Sequence, residues 1–520
     1  MRDRSRKAYA SGSNMRPASV RNRFRMKAGR GDEERGQPMT GTVHSQAPAS
    51  GGGSPPLGAE ARSIDFIPNE ERTGKAWHLG TVWFGASVNL TGLATGFATL
   101  SIGASLFWTV VATVFGSLFG TFFMAFHSAQ GPQLGLPQLV QSRPQFGYVG
   151  AALTVWVFVL VNYVAYNTSD ALLSGASANS LSGMPKSLGY LIAALLAAVL
   201  AFCGYHWIHR VYRWLMWPML VLLVLCTYAA LTSDRLPSFT PGPFELAPFM
   251  SVFVIVAGFQ LGWAPYVSDY SRYLPAGVGV RSTLWWTYLP SAISGIWVFV
   301  LGSIVSAAVP GADPVTAIRR TGDSLFAGFG AVLVLLMLVG LVAIMAVNQY
   351  GGSLTMLSMA DSFWALKPTK RARAGSIALM SLVVFGLAQS VGIDRFNEFY
   401  GNALVFLAYL FTPWTAVNLV DFFFVRRGKY VIGEIFNPNG IYGRWGSQGI
   451  TAYLVAIALM VPFMVTTPFT GFLARQLGGV DYSIFVGLPV AGGLYWLLTR
   501  NLDRTREEAM VRDEALLPRH

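Results

Sequence analysis

Twelve stretches of mostly apolar residues succeed one another along the chain, near 79–102, 105–126, 148–173, 188–205, 211–231, 248–270, 284–309, 324–350, 375–391, 398–424, 449–466 and 482–498. A helix needs roughly 20 such residues to cross the hydrocarbon of a bilayer. The fourth, ninth, eleventh and twelfth stretches are the shortest, so their edges are set least sharply. This spacing predicts an all-α polytopic membrane protein of twelve transmembrane helices. Composition agrees: 53% of the 520 residues are hydrophobic and 12% are charged, against roughly 25% charged in an average soluble domain. A water-soluble chain of this make-up has too little polar material for its surface.

The net charge of +13 raises the question of a nucleic-acid partner, and its placement answers against one. Fourteen of the 38 Lys and Arg residues lie in 1–76 and five lie after 499. The remainder sit in short loops between apolar stretches. With the N-terminus inside, the inner loops carry thirteen, among them Arg143, Arg210, Arg281, Lys370, Arg426, Arg427, Lys429 and Arg444; the outer loops carry six, including Arg319 and Arg320. Positive loops face the cytoplasm, so this bias predicts an inner-membrane protein with both termini cytoplasmic. The Arg319–Arg320 pair is the one outer-loop feature that resists it. The run Asp421, Arg426, Arg427 and Lys429 reads as an inner membrane boundary.

Residues 1–63 are basic and polar and are expected to be a disordered tail, followed by a ten-helix core over 64–430, two peripheral helices over 431–499 and a cytoplasmic tail over 500–520. Cys203 and Cys226 lie inside apolar runs, which excludes a disulfide framework or a cysteine metal cluster. No HExxH, GxSxG or paired carboxylates mark a catalytic site, so no metal, cofactor or enzyme activity is expected. No appended domain suggests a sensor.

Two stretches are interrupted. The first, GTVWFGASVNLTGLATGFATLSIG, carries Gly80, Gly85, Gly92, Gly96 and Gly103 with Ser87, Asn89, Thr91 and Thr95 between them. The sixth, VIVAGFQLGWAPYVSDYSRY, carries Gly258, Gly262 and Pro265. Proline removes a backbone donor and glycine permits non-helical geometry. Freed backbone groups at membrane depth line a cavity or are buried in protein. Two broken helices five apart match an inverted five-plus-five repeat, in which both breaks flank a midplane substrate site. Glycine packing between helices is the simpler alternative.

Polar residues gather on other stretches. In the third, Tyr163, Tyr166, Asn167 and Asp170 fall at i, i+3, i+4 and i+7, one helical face. Intramembrane ionisable groups usually face a cavity; an interhelical hydrogen-bond network is the alternative. In the eighth, Asn348 and Gly352 share a face, and an amide there offers both a donor and an acceptor.

Four blocks then resemble one family, the purine–cytosine permeases of the nucleobase:cation symporter 1 family. They are PNEERTGK (68–75), GLPQLVQSRPQFGYVG (135–150), GWAPYVSDYSRYLP (262–275) and PWTAVNLVDFFFVRRGKY (413–430), in the family's order and spacing. The resemblance implies uptake of a purine, cytosine or a related ring such as allantoin or hydantoin. It implies a ring held between aromatics of helices 3 and 6, with amides on its polar edge. Carried onto this chain, those are Tyr163 and Asn167 of helix 3, Gln260, Gly262 and Trp263 of helix 6, and Asn348 of helix 8; Asn89 marks the helix-1 break. Asp269 and Arg272, at the end of helix 6, are expected to gate rather than touch substrate.

Sodium-coupled relatives carry a Ser-Thr pair just before the helix-8 asparagine. Here the positions are Ala346 and Val347, and Val347 has no oxygen for a hard cation. That favours proton coupling, with Asp170 as the intramembrane carboxylate best placed to carry the proton. An alignment one turn later offers Ser353 and Thr355 instead. The expected partners are a small heterocycle and the lipid bilayer, the expected state is a monomer, and the coupling cation is the only cofactor. The alternatives are a sodium-coupled hydantoin or allantoin permease, and an amino-acid or amine permease of the same fold.

Overall fold

The computed structural model describes residues 65–236, 239–364 and 369–516; the basic tail 1–63 lies outside the described residues. Among the described residues no strand forms, and one isolated bridge joins Val465 and Thr470. Among the described residues, nine helices are long and apolar enough to span a membrane, and three shorter apolar helices, Leu90–Leu100, Ser447–Phe463 and Ser483–Thr499, overlie the first, eleventh and twelfth predicted stretches.

We label them in chain order: α1a (Ala76–Ser87) and α1b (Leu90–Leu100), α2 (Leu106–Ser128), α3 (Val157–Ser182), α4 (Lys186–Cys203) and α5 (Tyr205–Leu231). Then follow α6a (Leu246–Leu261) and α6b (Val267–Ser271), α7 (Val280–Ala308), α8 (Phe329–Phe363), α9 (Lys370–Val391) and α10 (Phe396–Val420). The last are α11 (Ser447–Met460), α12 (Ser483–Thr499) and α13 (Thr505–Leu516). Helix α8 continues well past its predicted end at 350, because the GGSLTMLSMADSF run holds no proline to stop it.

The helices pack in two groups of four. The pairs α6a–α2, α7–α1a, α7–α1b and α7–α2 make one group; α8–α3, α3–α4, α8–α4, α9–α4 and α9–α3 make the other. Helix α10 lies against α6a and also carries α11 and α12. With no water to expel between helices in lipid, close backbone approach carries the packing. Gly96 shows how: a Cβ there would stand 2.2 Å from the Phe299 carbonyl oxygen, so only glycine lets α1b meet α7. Gly258 does the same for α6a and α10, where a Cβ would stand 2.2 Å from the Leu404 oxygen. The expectation that Gly258 interrupts its helix is therefore corrected: it lies inside α6a. Gly80, Gly85, Gly92 and Gly96 likewise lie inside α1a or α1b, so the first helix breaks once, at Val88–Asn89.

The predicted boundary at Asp421 and Arg426 is also more than a boundary. Their side chains are only 0% and 7% exposed and form an ion pair. Asp421 also accepts from Tyr430 (2.8 Å), Tyr495 (2.8 Å) and Gln145 (2.6 Å). Arg426 donates through Nε to Glu507 at 3.0 Å, which docks α13 onto the end of α10. Arg319 of the resisting loop lies on a short helix, Pro314–Asp323, and its guanidinium donates to the Ser180 hydroxyl at 2.9 Å.

Candidate functional site

Both helix breaks are held by local chemistry. At Asn89 the backbone is extended (φ −155°), and its side-chain oxygen caps α1b by accepting from the Gly92 amide at 2.8 Å. Its amide nitrogen donates back to the Ala86 carbonyl at 2.9 Å. One side chain thus satisfies a free group on each side of the break, as a helix terminus requires. In the sixth helix α6a ends at Leu261, Gly262 and Trp263 turn, and Pro265 is the second residue of the 3-10 turn Ala264–Tyr266 before α6b. Proline costs little there because the first residues of a helical turn need no internal donor.

A cavity of about 30 Å³ lies between the breaks, walled by Asn89 and Thr91 of the first helix and by Phe259, Gly262, Trp263 and Tyr266 of the sixth. Asn162, Tyr166 and Asp170 of α3 and Ile344 and Asn348 of α8 complete it. Its walls therefore come from both packing groups. That volume suits roughly two water molecules, so a planar ring enters only when the walls part.

The lining mixes aromatic rings with polar groups. Trp263 meets Trp83 edge-to-face at 6.0 Å, and Trp83 meets Tyr270 at 5.3 Å. Tyr166 packs edge-to-face on Phe259 and on Tyr400. Thr91 donates its hydroxyl to Oδ1 of Asp170. Asn162 donates to the Tyr266 hydroxyl at 2.6 Å and to the Gly262 carbonyl at 3.4 Å. Among the described residues, Asp170 Oδ2, Asn162 Oδ1, Tyr166 OH and Trp263 Nε1 are buried without a hydrogen-bond partner. Buried polar atoms are nearly always paired. Four unpaired ones converging on one cavity mark a place built to bond something else.

The structure sorts the predicted residues. Asn89, Asp170, Gly262, Trp263 and Asn348 line the cavity; Tyr163, Asn167 and Gln260 do not. The Tyr163 ring packs against that of Tyr266, tilted by 43° with centroids 5.0 Å apart, and lies against Gly351 of α8. Asn167 is fully buried to the side of the cavity. Gln260 turns toward α7, donating to the Ser291 carbonyl at 3.3 Å and filling the space beside Gly295. Asn162, Thr91, Phe259, Tyr266 and Ile344 were missed. Asn162, Tyr166 and Asp170 run i, i+4, i+8 along α3; this stripe shares Tyr166 and Asp170 with the predicted face and differs in taking Asn162 in place of Tyr163 and Asn167.

Asp269 and Arg272, expected at a gate, are not part of the cavity lining. Asp269 accepts from the Gln138 amide at 2.9 Å, in the loop between α2 and α3. Arg272 is buried and donates to the Asp65 carbonyl at 3.2 Å, just before α1a. On α8, Ser353 pairs with Ser376 of α9 and Thr355 donates to the Gly351 carbonyl of its own helix. Neither residue lines the cavity.

Residues 66–487 match the family described as permease for cytosine/purines, uracil, thiamine, allantoin. The Bacillus subtilis protein YxlA, a candidate purine–cytosine permease, is 36% identical over 446 residues, covering 85% of this chain and 96% of that one. The purine–cytosine permease fcyB of Emericella nidulans is 25% identical over 468 residues, covering 85% and 88%. Among solved structures, the inward-facing form of Mhp1 shares the fold with a TM-score of 0.67 at 18% identity, covering 87% of this chain and 97% of that one. Mhp1 closed around bromovinylhydantoin, a nucleobase-cation-symport-1 family transporter, gives 0.66 at 18% identity.

Proposed function

The chain belongs to the family of permeases for cytosine/purines, uracil, thiamine and allantoin, and from that premise we propose that it imports a nucleobase, cytosine or a purine, together with a cation. The observation that carries this reading is the cavity at the two helix breaks, which combines aromatic rings with unpaired donors and acceptors. Trp263 and Tyr166 take the faces of a flat ring. Asn348, Asn162 and the Tyr166 hydroxyl read its polar edge. A ring that leaves these groups unpaired binds poorly, which is the basis of selection among similar heterocycles.

In this reading α1, α2, α6 and α7 rock against α3, α4, α8 and α9, opening the site to each side in turn. Asp170 carries the coupling proton, because it joins the first helix to the third at the cavity and keeps one carboxylate oxygen unpaired. The absence of hydroxyls at Ala346 and Val347 supports a proton over sodium. Asp269 and Arg272 act at the gate. The protein works as a monomer in the inner membrane with twelve crossings and both termini cytoplasmic. Competition uptake in proteoliposomes tests this: labelled cytosine, adenine, hypoxanthine, uracil and allantoin, with proton and sodium gradients imposed separately. Uptake of none of the five, or uptake indifferent to either gradient, would overturn it.

A further inference from the structure

A second pocket lies at the end of α10 and α12, far from the helix breaks in both sequence and lining. Its volume is about 400 Å³, within the range of small-ligand sites. Its composition is one-sided. Arg426, Arg427, Lys429, Arg500 and Arg504 line it with a single acid, Glu508; Arg426 is taken up by Asp421 and Glu507. Arg504 is already engaged, with Glu507 at 3.2 Å, Glu508 at 3.7 Å and the Val425 carbonyl at 2.7 Å. The side chains of Arg427, Lys429 and Arg500 are exposed and make no ion pair or hydrogen bond with the described residues. Three cations thus converge on one pocket whose single acid, Glu508, is paired with Arg504.

Two further features point the same way. Arg427 has φ +52° and is the one non-glycine among the described residues in the left-handed region. That conformation is uphill for a side chain with a Cβ; the backbone bonds from the Gly428 amide to the Phe422 carbonyl (2.9 Å) and from the Lys429 amide to the Arg426 carbonyl (3.1 Å) flank it. The pocket is also bounded by apolar residues that are open to the surroundings: Phe424 is 67% and Trp496 48% exposed. Both lie at the ends of membrane helices, where aromatic rings mark the headgroup level. A soluble anion has no use for such walls.

We propose that this pocket binds the headgroup of an anionic phospholipid, with Arg427, Lys429 and Arg500 holding the phosphodiester and Phe424 and Trp496 flanking the acyl chains. Basic pockets between membrane helices bind such headgroups on the cytoplasmic side, and arginine suits a phosphate because its fork matches two oxygens at once. The occupant sits beside the Asp421–Arg426–Glu507 network, so it also braces the docking of α13.

Native mass spectrometry of the full-length, delipidated protein tests the proposal. It is titrated with phosphatidylglycerol and with phosphatidylcholine of identical acyl chains. The expected result is a preference of about tenfold or more for phosphatidylglycerol. Replacing Arg427, Lys429 and Arg500 together by alanine should reduce it to within about twofold, with the elution profile unchanged. Arg427→Lys with Arg500→Lys keeps the charges and should retain most of the preference. If the triple variant does not fold, Arg500→Gln alone is read, with about a threefold drop expected. Equal binding of the two lipids by the parent protein, or a full preference in whichever neutralised variant is read, overturns the proposal. Displacement of phosphatidylglycerol by millimolar inorganic phosphate assigns the pocket to a soluble anion and overturns it equally; resistance to phosphate supports the lipid.

Discussion

The Thr91 hydroxyl donates to the Asp170 carboxylate, and with that bond the half-helix after the first break is tied to the third helix at the edge of the cavity. Thr91 belongs to one packing group and Asp170 to the other. A change in the charge of this carboxylate therefore acts on the junction of the two groups, beside the residues that would meet a substrate.

Asp170→Asn should uncouple transport. The amide cannot give up a proton, so concentrative uptake is expected to fall by at least about tenfold, while exchange of labelled for unlabelled substrate across the membrane persists. A hydrogen bond to a charged group contributes about 1.5–3 kcal/mol. Thr91→Val should accordingly give a smaller loss in the same assay. Concentrative uptake by Asp170→Asn within about twofold of the parent would remove this residue from the coupling step.

Asn348→Ala should weaken substrate binding without loss of fold. Asn348 is half-buried on the cavity wall. Leaving a ligand group unpaired there costs about 1–3 kcal/mol, or ~5- to 150-fold in apparent affinity at ~1.4 kcal/mol per tenfold. Saturation uptake curves read the change directly, and an unaltered half-saturation concentration would place the amide outside the binding contact.

Gln260→Ala should behave in the opposite way. The Gln260 side chain bonds to Ser291 and fills the space beside Gly295. Its removal should lower the thermal unfolding midpoint in detergent, with a cost of about 1–3 kcal/mol, and leave apparent affinity close to that of the parent. A loss of affinity at full stability would show that Gln260 reaches the ligand in another conformation.

Transport should follow the proton gradient more than the sodium gradient. Uptake is expected to collapse with a protonophore and to survive replacement of sodium by choline. The reverse pattern would show that backbone carbonyls, without hydroxyls at Ala346 and Val347, are enough for a sodium site.

Asp421→Asn should destabilise the protein. Asp421 and Arg426 are buried together, and breaking such a pair costs about 3–5 kcal/mol because the surviving charge is stranded. Pairing it with Arg426→Met should restore much of the loss. A midpoint unmoved by Asp421→Asn would mean that Glu507 and the surrounding tyrosines satisfy the guanidinium unaided.

The helices and both breaks were legible in the sequence because lipid enforces length and apolarity, and because Gly262, Pro265 and Asn89 have few roles inside a straight helix. The site was legible less evenly. On α3, residues at 162, 166 and 170 and at 163, 166, 167 and 170 both fit a single face, since each step turns only about 100°. Which of the two faces meets the cavity is decided by α8, against which Tyr163 packs, and no periodicity within α3 reports that. Gln260 was read toward the break beside it; the hole that receives it is made by Gly295, on another helix. The buried pair at Asp421 looked like surface charge because its partners, Gln145, Tyr495 and Glu507, come from three distant parts of the chain.

The smallness of the cavity sets how affinity should be understood here. On the proposed reading, a ring would bond only to the fraction of molecules in which the walls at Trp263 and Tyr166 have parted. The dissociation constant measured at equilibrium is then the intrinsic one divided by that fraction. A substitution that favours the parted form, such as trimming Trp83 where it abuts Trp263, can therefore tighten apparent binding without adding a contact. One that merely stiffens the closed form weakens it for every substrate alike. Selectivity and affinity become separable quantities in this protein, the first written in the polar edge and the second in the equilibrium between shapes.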